Sequence, residues 1–250
     1  ELFKWDEKKA QSGQRRGSKV RGVGVAVSPH NAGSVGFDGL FVIKPDGRIS
    51  FQSGIGNHGT HSVIDVHRVA AELLGVGWEK CDVAWGNTAK HLPWTCVSAG
   101  SQTIFAMTRA AHAAAMDAKK KLQEIAAKDL GGRPEDYDVG NERVFRRGGG
   151  GSLSFAQAAK RAIELGGIYD GHELPKDINA FTRTSATALA GQGLMGVAKD
   201  NYPRDGQTFS YVVGFAQVEV DVETGQYKIL EYAAVAELVA RGAAATPHSG

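Results

Sequence analysis

Cysteine is scarce in this chain, with two residues in 250. Cys81 and Cys96 form no C-x-x-C pair, so no iron–sulfur or zinc site built by this chain alone is expected. A disulfide between them is allowed but unforced, and two reduced thiols are the ordinary alternative. Charge of one sign is also lacking. The net charge is +2, too weak a field to imply a nucleic-acid partner. No run of about 18 apolar residues occurs, so no membrane-spanning helix is expected. An apolar leader is missing as well: Glu1 to Arg21 is charged, which argues against a signal peptide and for a cytoplasmic location. The chain starts on Glu rather than Met, as an internal piece or a processed product would. No G-x-x-x-x-G-K-[ST] phosphate loop and no G-x-S-x-G nucleophile elbow is present.

Glycine, in contrast, is abundant, at 33 residues. The stretch Gly54-Ile55-Gly56-Asn57-His58-Gly59-Thr60-His61-Ser62 is a Gly-rich turn opening into an amphipathic pattern over Ser62 to Leu74. That pattern places Val63, Val66, Val69, Ala70, Leu73 and Leu74 on one helical face. About forty residues later the arrangement recurs. Val97-Ser98-Ala99-Gly100-Ser101-Gln102-Thr103 runs into an Ala-rich helix from about Ile104 to Ala127, stopped at Gly131-Gly132. A small-residue turn before a helix N-terminus offers free peptide N–H groups and the positive end of a dipole, both suited to an anion. Plain strand-to-helix turns are the bland alternative, with Ser98, Ser101 and Thr103 serving only as caps.

The rest of the chain alternates irregularly, which predicts an α+β fold with antiparallel and mixed sheets and packed helices. Glu1 to Lys9 suggests a short helix and Val20 to Ser28 a strand. Gly39–Lys44 and Arg48–Ser53 flank the hairpin turn Pro45-Asp46-Gly47. A short strand follows at Asp82 to Trp85. Tyr137–Val139 and Arg143–Arg147 form a small hairpin. Ser154 caps a helix over Phe155 to Leu165. Gly171 to Lys199 reads as irregular, including Gly191-Gln192-Gly193. Thr208–Val222 and Gln226–Val235 alternate around Glu223-Thr224-Gly225 and make the strongest hairpin. Three segments are expected: an N-terminal helix and linker over 1–18, a first α+β unit with both turns over 19–132, and a second unit over 133–250.

Histidines invite a metal reading, but His58 and His61 have no carboxylate or Cys at ligand spacing, so no metal site is expected there. His67 falls on the polar side of its helix and is expected in solvent. Trp85, Trp94 and Phe105 suit either the wall of a channel or the core.

Several motifs in order carry a family. They are the Trp5 helix, Lys19-Val20-Arg21-Gly22-Val23-Gly24-Val25-Ala26, the Gly56–Ser62 turn with Leu74-Gly75-Val76 after it, the Ser98–Gln102 turn, and the late hairpin Gly214 to Gly225. Together they resemble the middle portion of the molybdopterin-binding large subunit of the xanthine dehydrogenase and aldehyde oxidase family, the molybdenum hydroxylases. The resemblance runs from Glu1 to Val235.

The resemblance implies a pterin cofactor held by backbone amides and small side chains of the two turns. The implied cofactor contacts are Gly56, Asn57, His58, Gly59 and Thr60 in the first, and Ser98, Ala99, Gly100, Ser101, Gln102 and Thr103 in the second. The second turn would cradle the pterin and its phosphate or nucleotide tail, the cytosine dinucleotide form included. The family's Gly-Gln-Gly reads Asn57-His58-Gly59 here, so a Gln contact is replaced, with His58 left as a capping or pterin-facing residue. The family's Gly-Phe-Gly-Gly-Lys-type segment and its late Gly-x-Gly-Glu, which carries the general base, do not occur, so no catalytic residue is expected in this chain. The stretch from Glu237 to His248 departs from the family's Asp-x-Gly-Thr pattern.

The implied activity is oxidative hydroxylation of an aldehyde or ring carbon with oxygen from water. Iron–sulfur and FAD partners, and other chains or segments completing the pocket, would be needed for turnover. Two rival readings follow from the altered turn and the missing base: a molybdenum-dependent hydratase or dehydrogenase of the same family, and a structural subunit that has lost the cofactor.

Overall fold

A computed structural model describes residues 2–31, 33, 36–203 and 209–236. Two compact units emerge. One combines Glu1–Ala32 with Gly206–Gly250, and the other is Gly33–Asp205. These do not follow the boundaries expected at 18 and 132. The strand Lys19–Asn31 pairs with the strand Phe209–Asp221 from the far end of the chain, which sequence-local composition does not reveal.

In the first unit, helix α1 (Trp5–Ala10) precedes β1 (Arg15–Arg16) and β2 (Lys19–Asn31). With β10 (Phe209–Asp221) and β11 (Tyr227–Ala236) these form an antiparallel sheet in the order β1-β2-β10-β11. Val25 sits opposite Phe215, and Phe215 opposite Ala233. Phe3 and Trp5 bring α1 onto this face, with Phe215 5.6 Å and 6.0 Å from their ring centroids. The β10–β11 turn is the one expected at Glu223-Thr224-Gly225. Gly225 takes a left-handed φ of 73° and donates to the Asp221 carbonyl at 2.8 Å. The Asp221 carboxylate accepts from Lys19 and from the Glu223 and Thr224 amides. These donors hold it well below the usual carboxylate range. Thr208, the first residue of the expected hairpin, and the segment from Glu237 onward lie outside the described residues.

The second unit is built on a mixed sheet in the order β5-β4-β3-β9. β3 (Asp38–Ile43) and β4 (Ile49–Gln52) form the hairpin expected around Pro45-Asp46-Gly47. β5 (Cys81–Ala84) runs parallel to β4, and β9 (Leu194–Lys199) antiparallel to β3. Every residue of β3 is buried, because both faces are covered. Phe41 and Ile43 enter the main core with Leu74, Leu122, Ile125 and Phe155. Leu40 and Val42 pack with Ala186, Leu189 and Met195 on the other face.

Helix α4 (Thr108–Leu130) lies on the first face, preceded by a wide π-helical turn over Thr103–Met107. Its alanines allow close approach. A Cβ on Gly39 would stand 2.2 Å from the Ala110 carbonyl oxygen, and one on Gly196 2.5 Å from the Phe41 ring. A second, three-stranded sheet (β6 Tyr137–Gly140, β7 Arg143–Arg146, β8 Ser152–Ser154) leads into α5 (Phe155–Leu165). Ser154 caps α5 as expected. Its hydroxyl accepts from the Gln157 amide at 3.2 Å, and the Gln157 side chain accepts from the Ser154 amide at 2.8 Å.

Three expectations are corrected here. Gly171 to Lys199 is not irregular: it holds α6 (Ala180–Leu189) and β9. Asn179 caps α6 by accepting from the Phe181 amide. β9 escaped notice because Leu194, Met195, Gly196 and Val197 are all buried, leaving no alternation to read.

The second correction concerns Ser62 to Leu74, which forms two short helices, α2 (Ser62–Asp65) and α3 (Arg68–Leu74). They part at Val66-His67, where His67 donates to Ile64 three residues back. The third is His67 itself, which is buried rather than solvated. Its ring stacks on Phe51, at the boundary between the two short helices.

Candidate cofactor-binding site

Both turns belong to the second unit, and they are tied together at their entries. Gly54 leaves β4 and meets Pro93, whose carbonyl oxygen would stand 2.1 Å from a Cβ at that position. The Thr95 hydroxyl donates to the Gly54 carbonyl at 3.1 Å. A small core seals the pair. Ile55, Val63 and Val66 from the first turn and its helix pack with Ala106, Met107 and Ala110 from the second, closed by Phe37, Trp94 and Cys96. Trp94 is thus a packing residue, 6.2 Å from Phe37 edge to face. Trp85 is partly exposed. Phe105 is half-buried at the start of the long helix.

In the first turn, Gly56, Asn57, His58, Gly59 and Thr60 are all exposed. Asn57 holds the bend by accepting from the Gly59 amide at 2.9 Å, and Gly59 takes a φ of 82°. Thr60 and Ser62 hydroxyls meet at 2.8 Å. His58 folds back beside Gly56. His61, with a φ of 57°, is another left-handed residue. A four-residue α2 has almost no macrodipole, so the dipole argument fails at this turn. What remains is the loop's own peptide groups.

In the second turn, Ala99, Gly100 and Ser101 are exposed, Ser98 is half-buried, and Gln102 and Thr103 are buried. Gly100 and Ser101 take left-handed φ values of 58° and 53°. Thr103 donates to the Ser98 hydroxyl at 2.9 Å, stapling the turn to the helix that follows. The 23-residue α4 behind the π-helical turn supplies the helix that the first turn lacks.

These residues fit an anionic, hydrogen-bond-accepting group. Among the described residues, the peptide N–H groups of Gly56, His58, Thr60 and Gly100 have no acceptor. Exposed N–H groups in small-residue turns are donors ready for phosphate or pterin oxygens. Two further polar atoms flank the first turn. The Ser53 hydroxyl and the His67 Nε2 are buried and without a partner. Desolvation lowers the His67 pKa from 6.5 to about 4, so this ring is neutral near pH 7. Among the described residues, no group of three or more His, Cys, Asp or Glu side chains is placed to hold a metal ion.

One cluster was missed from the sequence. Arg109, the second residue of α4, meets Asp200 just after β9, and His112 Nδ1 lies 2.7 Å from the Tyr202 hydroxyl. The partners are separated by about ninety positions. No local pattern links them. The one signal was a charged residue at Arg109 among alanines.

Comparison with known proteins follows the same geometry. The profile of the molybdopterin cofactor-binding domain family matches residues 1–238. The fold is shared with Cu,Mo-CO dehydrogenase, at 19% identity and a TM-score of 0.57 over 93% of this chain and 28% of that one. It is shared too with quinoline 2-oxidoreductase from Pseudomonas putida 86, at 17% identity and a TM-score of 0.54 over 94% of this chain and 29% of that one. Aldehyde oxidoreductase from Desulfovibrio desulfuricans ATCC 27774 gives 17% identity and a TM-score of 0.50, over 94% of this chain and 22% of that one. The chain therefore spans less than a third of the length of each of these. No curated protein sequence matches. The family match covers both turns and nearly the whole chain, and on that ground the chain belongs to the molybdopterin cofactor-binding domain family.

Proposed function

We propose that this chain supplies the two-turn cradle for the molybdenum cofactor in an oxidoreductase that hydroxylates an aldehyde or a ring carbon. The observation carrying this reading is the pair of exposed turns, with unpartnered N–H groups, sealed over one small core in a member of this family. Gly56, His58, Thr60 and Gly100 donate peptide N–H groups to the cofactor's acidic and carbonyl oxygens. Asn57 and Thr103 hold the two bends in shape. Ser98 offers its hydroxyl, while Gly59 and Ala99 keep the approach open. His58, in place of the family's Gln, offers a ring N–H. A nucleotide tail on the cofactor would be held by the second turn.

When bound, the cofactor supplies the two-electron oxidation and the transfer of a water-derived oxygen. The substrate C–H becomes C–OH, and two electrons and two protons leave. Partner chains bearing iron–sulfur and FAD groups carry the electrons away. A general base is supplied by another segment or chain that completes the pocket. No described helix is long and apolar enough to cross a membrane.

The test is turnover by natively purified complex, under anaerobic conditions, with aldehydes and N-heterocycles, a dye acceptor and oxygen-18 water. The expected result is labelled product with one dye equivalent of two electrons per product. Labelled product with no dye reduction identifies hydration instead. An intact complex with neither cofactor nor turnover identifies a structural subunit.

A further inference from the structure

Asp200 is fully buried on its side chain and Arg109 mostly so. Arg109 Nε lies 3.0 and 2.9 Å from the two Asp200 oxygens. Its Nη2 donates to the Tyr202 carbonyl at 2.6 Å and the Pro203 carbonyl at 3.1 Å. The guanidinium lies 5.3 Å from the Phe105 ring centroid and 5.4 Å from that of Tyr202. Asp200 is itself fixed, its amide donating to the Phe37 carbonyl at 2.8 Å. Phe105 then reaches the second turn in two ways. Its amide donates to Ser101 at 3.1 Å. Its side chain also packs against Gly33, where an added Cβ would stand 2.2 Å from the ring, and Gly33 donates to the Gly100 carbonyl at 2.9 Å. A continuous stack therefore runs from the end of β9 to the exposed carbonyls of the second turn.

We propose that Arg109, held by Asp200, is a positioning residue that sets the shape of the second turn through Phe105. Whether that shape serves the cofactor rests on the reading given under Proposed function; the mechanical coupling does not. Arg109 is assigned a positioning role because Nε and Nη2 are engaged with Asp200 and the Tyr202 and Pro203 carbonyls and two rings lie over its planar group. Lysine cannot substitute. An ammonium lacks the fork that meets a carboxylate and two carbonyls together, and it stacks poorly between rings.

The test is hydrogen exchange, read by mass spectrometry, in natively purified protein carrying Arg109→Lys, Arg109→Ala or Phe105→Leu. Peptides covering 97–104 are compared with those covering 54–61, alongside the melting temperature. Loss of the stack is expected to speed exchange in 97–104 by about tenfold or more, with 54–61 unchanged. Phe105→Leu gives the same pattern while leaving the Arg109–Asp200 pair in place. An open recess of about 290 Å³ lined by Val69, Thr108, Arg109, His112 and Tyr202 gives access to the guanidinium position. Methylguanidinium is therefore expected to restore slow exchange in Arg109→Ala, and methylammonium is not. Unchanged exchange in 97–104 of any folded variant overturns the proposal. So does faster exchange spread evenly over the chain, or equal rescue by both amines. Absence of molybdenum from the wild-type complex would sink the cofactor reading while leaving the exchange result to stand or fall by itself.

Discussion

The ring of His67 lies against that of Phe51, with centroids 5.1 Å apart and planes 22° from parallel. This contact buries an imidazole at the boundary between two short helices and leaves Nε2 with no partner. Burial lowers the folded-state pKa to about 4 from an ordinary 6.5. The unfolded chain therefore binds a proton below about pH 6.5 that the folded chain refuses until about pH 4. The stabilisation is present above pH 6.5 and is lost as pH falls through that window, by about 3 kcal/mol in all. Thermal melts of wild type and His67→Leu from pH 7 to pH 4 check this. The wild type is expected to lose stability more steeply than the variant, and parallel curves would contradict the assignment.

The contact between Gly54 and Pro93 locks the two turn entries together. Gly54→Ala places a Cβ 2.1 Å from a backbone oxygen that cannot swing away. The expected cost is about 1–3 kcal/mol in denaturant unfolding, the usual range for overpacking. Gly59→Ala is the control. It meets no atom within 4 Å, though its φ of 82° is unfavourable, so only backbone strain of about 1 kcal/mol is expected.

Much of this architecture was legible in the sequence, and the limits have physical causes. Turn chemistry at Pro45-Asp46-Gly47 and Glu223-Thr224-Gly225 is local, and both hairpins form where it placed them. The Ser154 cap is likewise a three-residue signal. β9 was hidden because a strand buried on both faces has no polar face to alternate with. His67 was misplaced on residue type, since its spacing of four from Val63 and seven from Leu74 puts it on the apolar side of the segment. The division into units escaped because β2 pairs with β10 about 200 residues away. The order of the two turns was readable, but the stack joining Arg109 to Asp200 depends on tertiary contact alone.

Asn57 offers a nearly isosteric probe of the first turn. Its side-chain oxygen accepts from the Gly59 amide, and Asp keeps that acceptor. Asn57→Asp therefore preserves the bend and adds a negative charge. At a separation of a few ångströms near the surface, like-charge repulsion costs on the order of 1–4 kcal/mol. Retention of an anionic pterin is expected to drop about tenfold or more, with Asn57→Ser close to wild type. Pterin fluorescence of the denatured, oxidised protein measures it. Equal pterin in Asn57→Asp and wild type would remove the first turn from the site.

Helix α5 depends on its capping box. Ser154→Ala removes the acceptor for the Gln157 amide and should destabilise the protein by about 1 kcal/mol. Ser154→Asp retains an acceptor and should recover most of the loss. Equilibrium urea unfolding of the three proteins decides it; no loss in Ser154→Ala would mean the box adds nothing net.

The central claim is that the paired turns hold a molybdenum cofactor. Elemental mass spectrometry of natively purified, gel-filtered protein, with the masses of co-eluting chains, tests it most directly. About one molybdenum per copy of this chain, accompanied by pterin, is the predicted result. An intact complex with its partners in place and no molybdenum would contradict the account.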